Sequence, residues 1–576
     1  MTTRFHHLVL AVLFAGTLIS CKNNAPEETR LIPSEALAVV TIDPNALSEK
    51  LQNGGISIDS VLGKIFEKDS ADTKERKTVD AFRKNAGFDW TKPIHYFVVR
   101  KAAPDKTDIS IMTVLASLSD TAKLVTFIQS GEHTNSGSVL REKLFSYIEQ
   151  GPRNLIAWND KHVIAMFYQH QVKPYYDTAK MKFVIPERPD YSKEMLAEAV
   201  KMFSQKEKAS MRSVEGFSEM FKTKAEGYLF STTDNLLGSF SAIPLQLPTL
   251  EELLKGNHTA ATLAFEDGRI IARSTTYTNK ALGNILKKYA GPTVNLSLID
   301  HYPSQKINGI MLAAFNPEIF GGLLKQLEVE GLVNEFMKKS AISSQELYGS
   351  LKGDIAVVVS DLGMANTEPQ ERDDELSLVK RKPVGKMIMN VPVGNKESFR
   401  KVMDKAVAMG TIQKIGNTYK GSDLIRTLGF YLQANDQQLI ISSDSLTCQQ
   451  YLQGTAKTTI SKEVRDHLSG KSTAFYFDIA NTINAFIKDS TSGYYRSMVT
   501  AKNTVKDLRG SSDNFSNGKI KAVVELRMQN EKQNSLVTLT SLFTNIAVDA
   551  RQVARREREM EEKMFPSGIP AVIRAN

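Results

Sequence analysis

The sequence predicts an α+β fold made of two similar tandem domains, each an antiparallel-rich sheet with helices packed on one face. Three observations predict it: apolar strands followed by capped helices, two matching hairpins, and the return of both patterns in the second half of the chain. At 576 residues the chain is also too long for one hydrophobic core, so at least two domains are expected.

A strand followed by a capped helix occurs in each half. Residues 37–42 form an apolar run that predicts a buried strand, and Asp43 then precedes Pro44, which suits the first position of a helix. Residues 310–315 and Asn316 repeat this arrangement. Asn316 lies 316 − 43 = 273 residues after Asp43. Since Asn can cap a helix but cannot act as a general acid, the pattern favours capping over catalysis.

Two predicted hairpins also match. Asn159 lies between the apolar residues 154–158 and 162–166, and Asn435 lies between two similar runs, 276 residues later when 159 is counted to 435. Asn tolerates the backbone geometry that tight hairpin turns need. The same order and nearly equal separations predict an internal duplication. The alternative is that such units recur by chance in an α+β protein.

These patterns set the predicted boundaries along the chain. The charged end of the chain includes a dense helical stretch at 551–563, and an insertion at 173–221 is rich in helical spacing. The predicted segments are a signal peptide (1–20), a lipidated cysteine with a short flexible tether (21–30), a first α+β domain (31–295), a second α+β domain (296–547) and a charged tail (548–576).

The first 21 residues predict export and lipidation. A short start carrying Arg4 is followed by the apolar run 8–19, which is too short to span a bilayer as a helix. The run closes in Leu-Ile-Ser-Cys at 18–21, a small-residue cleavage site that ends in Cys21. We therefore expect attachment to the membrane through acyl chains on Cys21. The alternative is an ordinary signal peptide with an incidental cysteine.

Composition narrows the set of partners. The chain is 41% hydrophobic and 24% charged, as in ordinary globular proteins, and its formal net charge is +9. A basic balance can indicate nucleic acid, but an exported protein rarely meets it, so no nucleic-acid partner is predicted. Anionic lipid headgroups and cell-wall polymers are alternatives to the favoured interpretation, a solvated basic surface.

No familiar catalytic or metal motif is found in the sequence. It contains no H-E-x-x-H, G-x-S-x-G, G-x-G-x-x-G or calcium-loop pattern, and Arg465 occupies the first glycine position of the one near-match to a phosphate loop. We therefore predict no catalytic residues, no cofactor and no metal. The three aspartates at predicted strand ends are expected to cap helices: Asp43, Asp234 and Asp478.

Two weaker candidates remain. Cys448 is the one thiol left after lipidation of Cys21, and it is expected to pack as a small hydrophobe rather than act as a nucleophile. Tyr494 and Tyr495 lie in a predicted loop and are weak candidates for stacking on a ligand.

The whole chain resembles a family of uncharacterised lipoproteins of Bacteroidota-type bacteria, known as a domain-of-unknown-function family. The lipobox at 18–21, the opening Ile-Pro-Ser-Glu-Ala-Leu-Ala-Val-Val-Thr-Ile-Asp at 32–43 and the α+β pattern carry the resemblance. The resemblance implies a cell-envelope location and supplies no catalytic residues.

The sequence thus predicts a cell-envelope lipoprotein with a non-enzymatic binding or scaffolding role. One alternative is a carrier or sensor for a lipid or glycan held in a groove between the domains, and another is an enzyme with an unrecognised site. Envelope proteins, lipids or glycans are the expected partners. Because Lys22 rather than an acidic residue follows Cys21, the outer membrane is favoured over the inner membrane, with the leaflet left open.

Overall fold

A computed structural model gives the fold of the chain. It describes residues 24–65, 70–102, 108–130, 138–169, 175–185, 190–234, 248–338, 342–366, 381–456, 458, 460–487 and 495–564. Helices and a large antiparallel arrangement of strands make up most of these residues, which confirms the predicted α+β class.

The strands in the described residues are short to medium in length. In chain order they are β1 (Ala38–Ile42), β2 (Ile94–Ala102), β3 (Asp108–Ser117), β4 (Leu140–Arg141), β5 (Ser146–Glu149), β6 (Asn154–Trp158), β7 (His162–Gln169), β8 (Tyr175–Asp177), β9 (Lys182–Val184), β10 (Gly227–Thr232), β11 (His258–Glu266), β12 (Arg269–Tyr277), β13 (Ile307–Ala314), β14 (Asp354–Asn366), β15 (Arg381–Pro392), β16 (Ile412–Ile415), β17 (Thr418–Gly421), β18 (Tyr431–Ala434), β19 (Gln438–Ser442), β20 (Thr473–Phe477), β21 (Val505–Ser512) and β22 (Lys519–Met528).

The α-helices alternate with these strands. They are α1 (Pro44–Asn53), α2 (Ile58–Ile65), α3 (Ser70–Asn85), α4 (Thr121–Ser130), α5 (Ser192–Ser204), α6 (Glu215–Met220), α7 (Pro248–Leu254), α8 (Lys280–Lys288), α9 (Glu318–Gln326), α10 (Glu330–Lys338), α11 (Ser344–Gly349), α12 (Lys396–Ala408), α13 (Asp423–Thr427), α14 (Ser445–Gln453), α15 (Lys462–Leu468), α16 (Ile479–Phe486), α17 (Tyr495–Thr504) and α18 (Ser535–Met564). Short 3₁₀ helices cover Glu27–Leu31, Glu207–Ala209, Met211–Ser213 and Leu296–Ile299.

The chain divides into two compact units. Unit 1 comprises residues 1–46, 78–231 and 259–262, and unit 2 comprises residues 47–77, 232–258 and 263–576. Each unit therefore combines segments that are distant in sequence.

Unit 1 contains one antiparallel run of eight strands. Adjacent strands follow the order β10–β1–β2–β3–β7–β6–β5–β4. The register places Val39 opposite Phe97 and Phe97 opposite Thr113, so these residues share one face of the sheet. The central strand of the run is thus paired on both sides, and its inward side chains are held in fixed positions.

One face of the unit 1 sheet is buried. On β2, His95, Phe97 and Val99 alternate inward and are fully buried. Helix α5 packs on β6 and β7, and the 3₁₀ helix Glu27–Leu31 packs on β3. Since each fully buried large apolar side chain contributes about 1.5–3 kcal/mol, this face supplies much of the stability of unit 1.

Unit 2 has a longer antiparallel run. Its order is β12–β22–β21–β20–β13–β14–β15–β19–β18–β17–β16. Helices α14 and α15 pack on this sheet around a core cluster. The cluster is made of Val294, Ile299, Tyr302, Ile310, Leu312, Ala314, Ala356, Val358, Ile388, Ile440, Cys448, Tyr451, Val464, Leu468 and Ala474.

Both units contain the same eight-strand order. The order β10–β1–β2–β3–β7–β6–β5–β4 of unit 1 corresponds strand by strand to β20–β13–β14–β15–β19–β18–β17–β16 of unit 2. Equivalent loop hydrogen bonds also recur: Leu118 N donates to Lys161 O, and Val393 N donates to Gln437 O. These repeats support the predicted duplication, which stays a prediction together with the boundaries drawn at 295 and 547.

Many predicted elements are confirmed, including the two hairpins, which are β6–β7 and β18–β19. The predicted helices at 192–203 and 551–563 lie within α5 and α18.

Two local predictions differ from the structure. The predicted tether is not a flexible linker where the structure describes it, because Glu28 and Thr29 are buried within a 3₁₀ helix. The helix-rich insertion at 173–221 also contains the hairpin β8–β9, whose strands are only three residues long and leave little periodic signal.

Candidate functional site

The predicted site residues are only partly described by the structure. Cys21 and Tyr494 lie outside the described residues. Tyr495 is half-buried and is the first residue of α17, so it belongs to a helix rather than to the predicted loop. Because Tyr494 lies outside the described residues, stacking of this tyrosine pair on a ligand stays a prediction.

Cys448 is part of the unit 2 core. It lies on α14, its exposed fraction is 3%, and it packs in the cluster that includes Ile440 and Tyr451. Burial raises the pKa of its thiol to about 11. A thiol in this state is mostly protonated at neutral pH and is a poor nucleophile, as expected for a small packing residue.

Two of the strand-end aspartates cap helices as predicted. Asp43 Oδ1 accepts from Ala46 N at 2.9 Å, and Asp478 Oδ1 accepts from Asn481 N at 2.8 Å. Asp234 differs, because its Oδ1 accepts at 2.8 Å from the backbone N of Gly256, which is distant in sequence. The residues that would form its predicted helix are outside the described range.

A buried polar cluster lies where the N-terminal segment meets unit 1. We call Glu28, Thr41, His95 and His162 the anchor seat. His95 Nδ1 lies 2.8 Å from Thr41 Oγ1 on the neighbouring strand, and His95 Nε2 lies 3.5 Å from Glu28 Oε1. Register fixes the first contact, because Thr41 and His95 are directly paired between β1 and β2.

Burial sets the electrostatics of the anchor seat. Glu28, Thr41 and His95 are all buried. Burial raises the pKa of Glu28, but the contact with His95 and the backbone hydrogen bond outweigh it, so this pKa lies below its ordinary value. Burial lowers the pKa of His162, with partial compensation from the negative charge of Glu28. The seat therefore favours an ionised carboxylate at Glu28 beside an uncharged imidazole at His162.

Backbone hydrogen bonds also fasten the N-terminal segment. Met211 N donates to Ile32 O at 2.9 Å, Ser34 N donates to Ala209 O at 3.0 Å, and Leu37 N donates to Val98 O at 2.8 Å. Pro33 and Ser210 form an isolated β-bridge beside them. The segment is thus an integral part of unit 1. Buried apolar side chains, these backbone hydrogen bonds and the anchor seat hold it in place.

A polar pocket of about 480 Å³ lies in unit 2 beside the start of α16. Arg527 Nε donates to Asp507 Oδ1 at 2.7 Å, and its Nη2 donates to Asp507 Oδ2 at 2.5 Å. Arg527 also contacts Glu463, which accepts from Arg509 Nη1 at 3.0 Å. The pocket is lined by Ser461, Glu463, Val464, Tyr476, Asp478, Ala480, Asn481, Lys506, Asp507, Arg527 and Gln529.

Ion pairs within the pocket join Arg527 to Asp507 and Glu463, and Lys506 Nζ donates at 2.9 Å to Glu531 Oε1, outside the lining. Arg527 is shared between two carboxylates, and bidentate geometry of this kind is strong and directional. Burial raises the pKa of Asp478, and the charge of Asp507 adds to the shift. Asp478 is nevertheless committed to its helix cap. The arrangement therefore stabilises the end of the sheet, since each of these charged groups has a partner within the described part of the protein.

Two further observations concern metals and membranes. Among the described residues, no group of three or more His, Cys, Asp or Glu side chains is arranged to hold a metal ion. In the same part of the chain, no helix combines the length and apolar character needed to cross a membrane.

Comparison with known proteins identifies the family. A family model described as a domain of unknown function, DUF4836, matches residues 28–536. The chain belongs to the DUF4836 family. The matched region of this DUF4836 chain begins at Glu28, the carboxylate of the anchor seat, and covers most of both units. No curated protein matches the chain.

Solved structures give only a partial likeness to this DUF4836 chain. Crystal form IV of TP0453 matches 44% of this chain and 81% of its own, at 12% identity and a TM-score of 0.23. Crystal form I of TP0453 matches 44% of this chain and 80% of its own, at 11% identity and a TM-score of 0.22.

Sequence reasoning missed the anchor seat of this DUF4836 chain. Glu28 stands in a polar stretch that is typical of a linker, and nothing nearby indicates burial. His95 offered a usable signal, since it shares the inward face of an alternating strand with Phe97 and Val99. A histidine at such a position needs a polar partner, but the sequence does not show which residue supplies it.

Proposed function

We propose that this chain is a lipoprotein of the cell envelope, anchored through acylated Cys21, with a non-enzymatic binding or scaffolding role. The observation that carries the proposal is how soon the chain becomes part of unit 1 after Cys21. Ala25 is already buried, and Glu28 lies in the anchor seat. Four Cα–Cα steps join Cys21 to Ala25, and they span at most about 15 Å.

A short connection has a mechanical consequence. Acyl chains on Cys21 would hold unit 1 at the membrane surface, because the connection is shorter than a typical domain diameter. Any force on the anchor would reach the segment formed by Leu31 and Ile32, which are buried in unit 1. Tertiary contacts around this segment would resist its detachment from unit 1.

The proposal includes the finer features of the resemblance. We assign the chain to lipoproteins of the Bacteroidota type on the lipobox at 18–21. Lys22 supports the outer membrane over the inner membrane, since no acidic residue follows Cys21. The proposed partners are therefore the membrane itself and components of the envelope close to it.

Three observations support a non-enzymatic role. The Cys448 thiol is buried and its pKa is raised to about 11, which disfavours nucleophilic chemistry. Asp43 and Asp478 cap helices. The carboxylates of Glu463 and Asp507 form ion pairs with Arg527. All these groups have structural roles. In an enzyme, catalytic groups would instead have to contact a substrate.

Incorporation of a labelled fatty acid in the native host tests the proposal. Parent protein and Cys21→Ser are compared, with Cys448→Ser as the matched control for loss of a cysteine. We expect label in the parent and in the control and none in Cys21→Ser. Label retained in Cys21→Ser, or absent from the parent, would overturn the anchor.

A further inference from the structure

A small hairpin in unit 1 forms a sheet of its own. Strand β8 pairs with β9 in antiparallel register, with Tyr176 opposite Phe183 and Asp177 opposite Lys182. Tyr176 and Phe183 share one face because they are directly opposite in the register. Met181 in the turn contacts Tyr176, and Ile185 follows directly after β9. This set of four is called the apolar face of the hairpin.

The apolar face is open to solvent to an unusual degree. The exposed fractions are 76% for Met181, 74% for Phe183, 72% for Ile185 and 45% for Tyr176. Single exposed apolar residues are ordinary, but a contiguous set on one face marks a surface that contacts a partner or a membrane. An isolated two-stranded hairpin is also marginal in water unless such a face is covered.

Internal contacts shape the hairpin before any partner binds. The rings of Tyr176 and Phe183 meet edge to face with centroids 5.2 Å apart, and Tyr176 Oη lies 3.9 Å from Met181 Sδ. Asp177 Oδ1 accepts from Ala179 N and Lys180 N at 3.0 and 3.1 Å, which closes the turn. The apolar side chains are thus grouped and directed together.

Two lysines lie close to the apolar face, one in the turn and one on the other face of the hairpin. Lys180 is largely exposed and lies 3.4 Å from Asp177 Oδ2, and Lys182 is exposed on the opposite side of β9. Apolar and aromatic side chains edged by lysines are the pattern of an interfacial membrane contact, in which the rings enter the headgroup region and the ammonium groups meet anionic lipid.

We infer that the hairpin β8–β9 is a second membrane contact, with its apolar face in the interfacial layer of a bilayer and Lys180 and Lys182 on anionic headgroups. The basic charge beside the face favours a bilayer over an apolar protein surface. The choice also rests in part on the proposed anchorage at Cys21, because an anchor there would keep unit 1 beside a membrane surface.

Vesicle flotation tests the inference without the acyl group. The chain as processed after residue 20, carrying Cys21→Ser, is mixed with vesicles of equal parts phosphatidylethanolamine and phosphatidylglycerol. Phe183→Ser should weaken binding about tenfold. Phe336→Ser is the matched control, since Phe336 on α10 is 71% exposed and stands outside the hairpin. The control should bind within about twofold of the parent.

Two further readouts identify the mode of binding. Replacing Lys180 and Lys182 by Gln should weaken binding to anionic vesicles about tenfold or more, with no loss on phosphatidylcholine vesicles. Phe183→Trp should show a blue shift of its emission on adding anionic vesicles, whereas Phe336→Trp should not.

The outcomes separate this inference from the proposed anchor. No vesicle binding by the Cys21→Ser parent, or equal weakening by Phe183→Ser and Phe336→Ser, would overturn the membrane contact and leave acylation of Cys21 standing. Binding that depends on Phe183 equally in neutral and anionic vesicles would overturn the role of the lysines. Loss of a protein partner in Phe183→Ser, with unchanged vesicle binding, would assign the face to that partner instead.

Discussion

Glu28 Oε1 lies 3.5 Å from His95 Nε2, and this contact joins the segment that follows Cys21 to the central sheet of unit 1. Both side chains are buried, and within the described residues neither of these two atoms has a hydrogen-bond partner that meets the distance and angle limits. A charge held in this way depends on its partner, because a buried carboxylate without a neighbour is costly. The contact therefore couples the N-terminal segment to the stability of unit 1.

Glu28→Gln should lower the free energy of unfolding by about 1–3 kcal/mol, because it removes the charge while keeping the shape of the side chain. Urea denaturation followed by circular dichroism measures the change. The neighbouring Glu27 is exposed on the same 3₁₀ helix, so Glu27→Gln is the matched control. Equal stability losses in the two variants would show that the contact with His95 contributes nothing specific.

Acid should weaken unit 1 through two groups that act in the same direction. The pKa of Glu28 is lowered, so its stabilisation is present above the ordinary value of 4.5 and is lost as the pH falls through the folded value. The pKa of His162 is lowered from 6.5 by burial, so the unfolded chain takes up a proton that the native chain does not. Stability should therefore fall steadily from about pH 7 towards about pH 4.

His162→Gln isolates the upper part of this pH dependence. In the variant the urea midpoint should change less between about pH 7 and about pH 5.5 than in the parent. Some slope should remain, because burial also lowers the pKa of His467 in unit 2. A variant with the same slope as the parent in this window would rule out His162 as the titrating group.

The two predicted hairpins should respond alike to loss of their turn asparagine. Asn159 Oδ1 accepts from Lys161 N at 2.9 Å and from His162 N at 2.8 Å. Asn435 Oδ1 accepts from Gln437 N at 2.8 Å and from Gln438 N at 3.0 Å.

Asn159→Ala and Asn435→Ala should each lower the free energy of unfolding by about 1 kcal/mol, since each leaves two backbone donors to solvent. Urea denaturation measures both. Asp160→Ala in the first turn is the control, because Asp160 is exposed. Unequal effects, with one variant unchanged, would count against equivalent hairpins.

Cys448 should be protected from thiol reagents in the folded chain. Its exposed fraction is 3% and burial raises its pKa to about 11. In Cys21→Ser it is the remaining cysteine of the two in the sequence. Reaction with a maleimide at about pH 7.5 should be slow in buffer and complete in concentrated urea. Rapid stoichiometric labelling in buffer would contradict the packing of α14.

Elements with a strong local sequence signal were predicted correctly. The strand before Asp43 and the hairpins at Asn159 and Asn435 combine strong periodicity with a capping or turn residue. The helix at 192–203 was predicted from its helical spacing alone. The α+β class follows from many such units and was predicted correctly.

The contacts that were missed are long-range. Glu28 and His95 are far apart in sequence, and only the register of β1 and β2 and the packing of a 3₁₀ helix bring them together. The hairpin β8–β9 was hidden for another reason, since three-residue strands carry too few alternations to signal a sheet. The exposure of Phe183 depends on whether distant parts of the chain pack over it, and the local sequence does not encode that.

Intact mass spectrometry of the mature protein, extracted gently from its own membranes, tests the central claim most directly. The account predicts that the chain begins at Cys21 and that its mass exceeds the value for residues 21–576 by that of acyl groups on this residue. An unmodified Cys21, or a mature chain that begins elsewhere, would contradict the lipid anchor and the envelope location that depends on it.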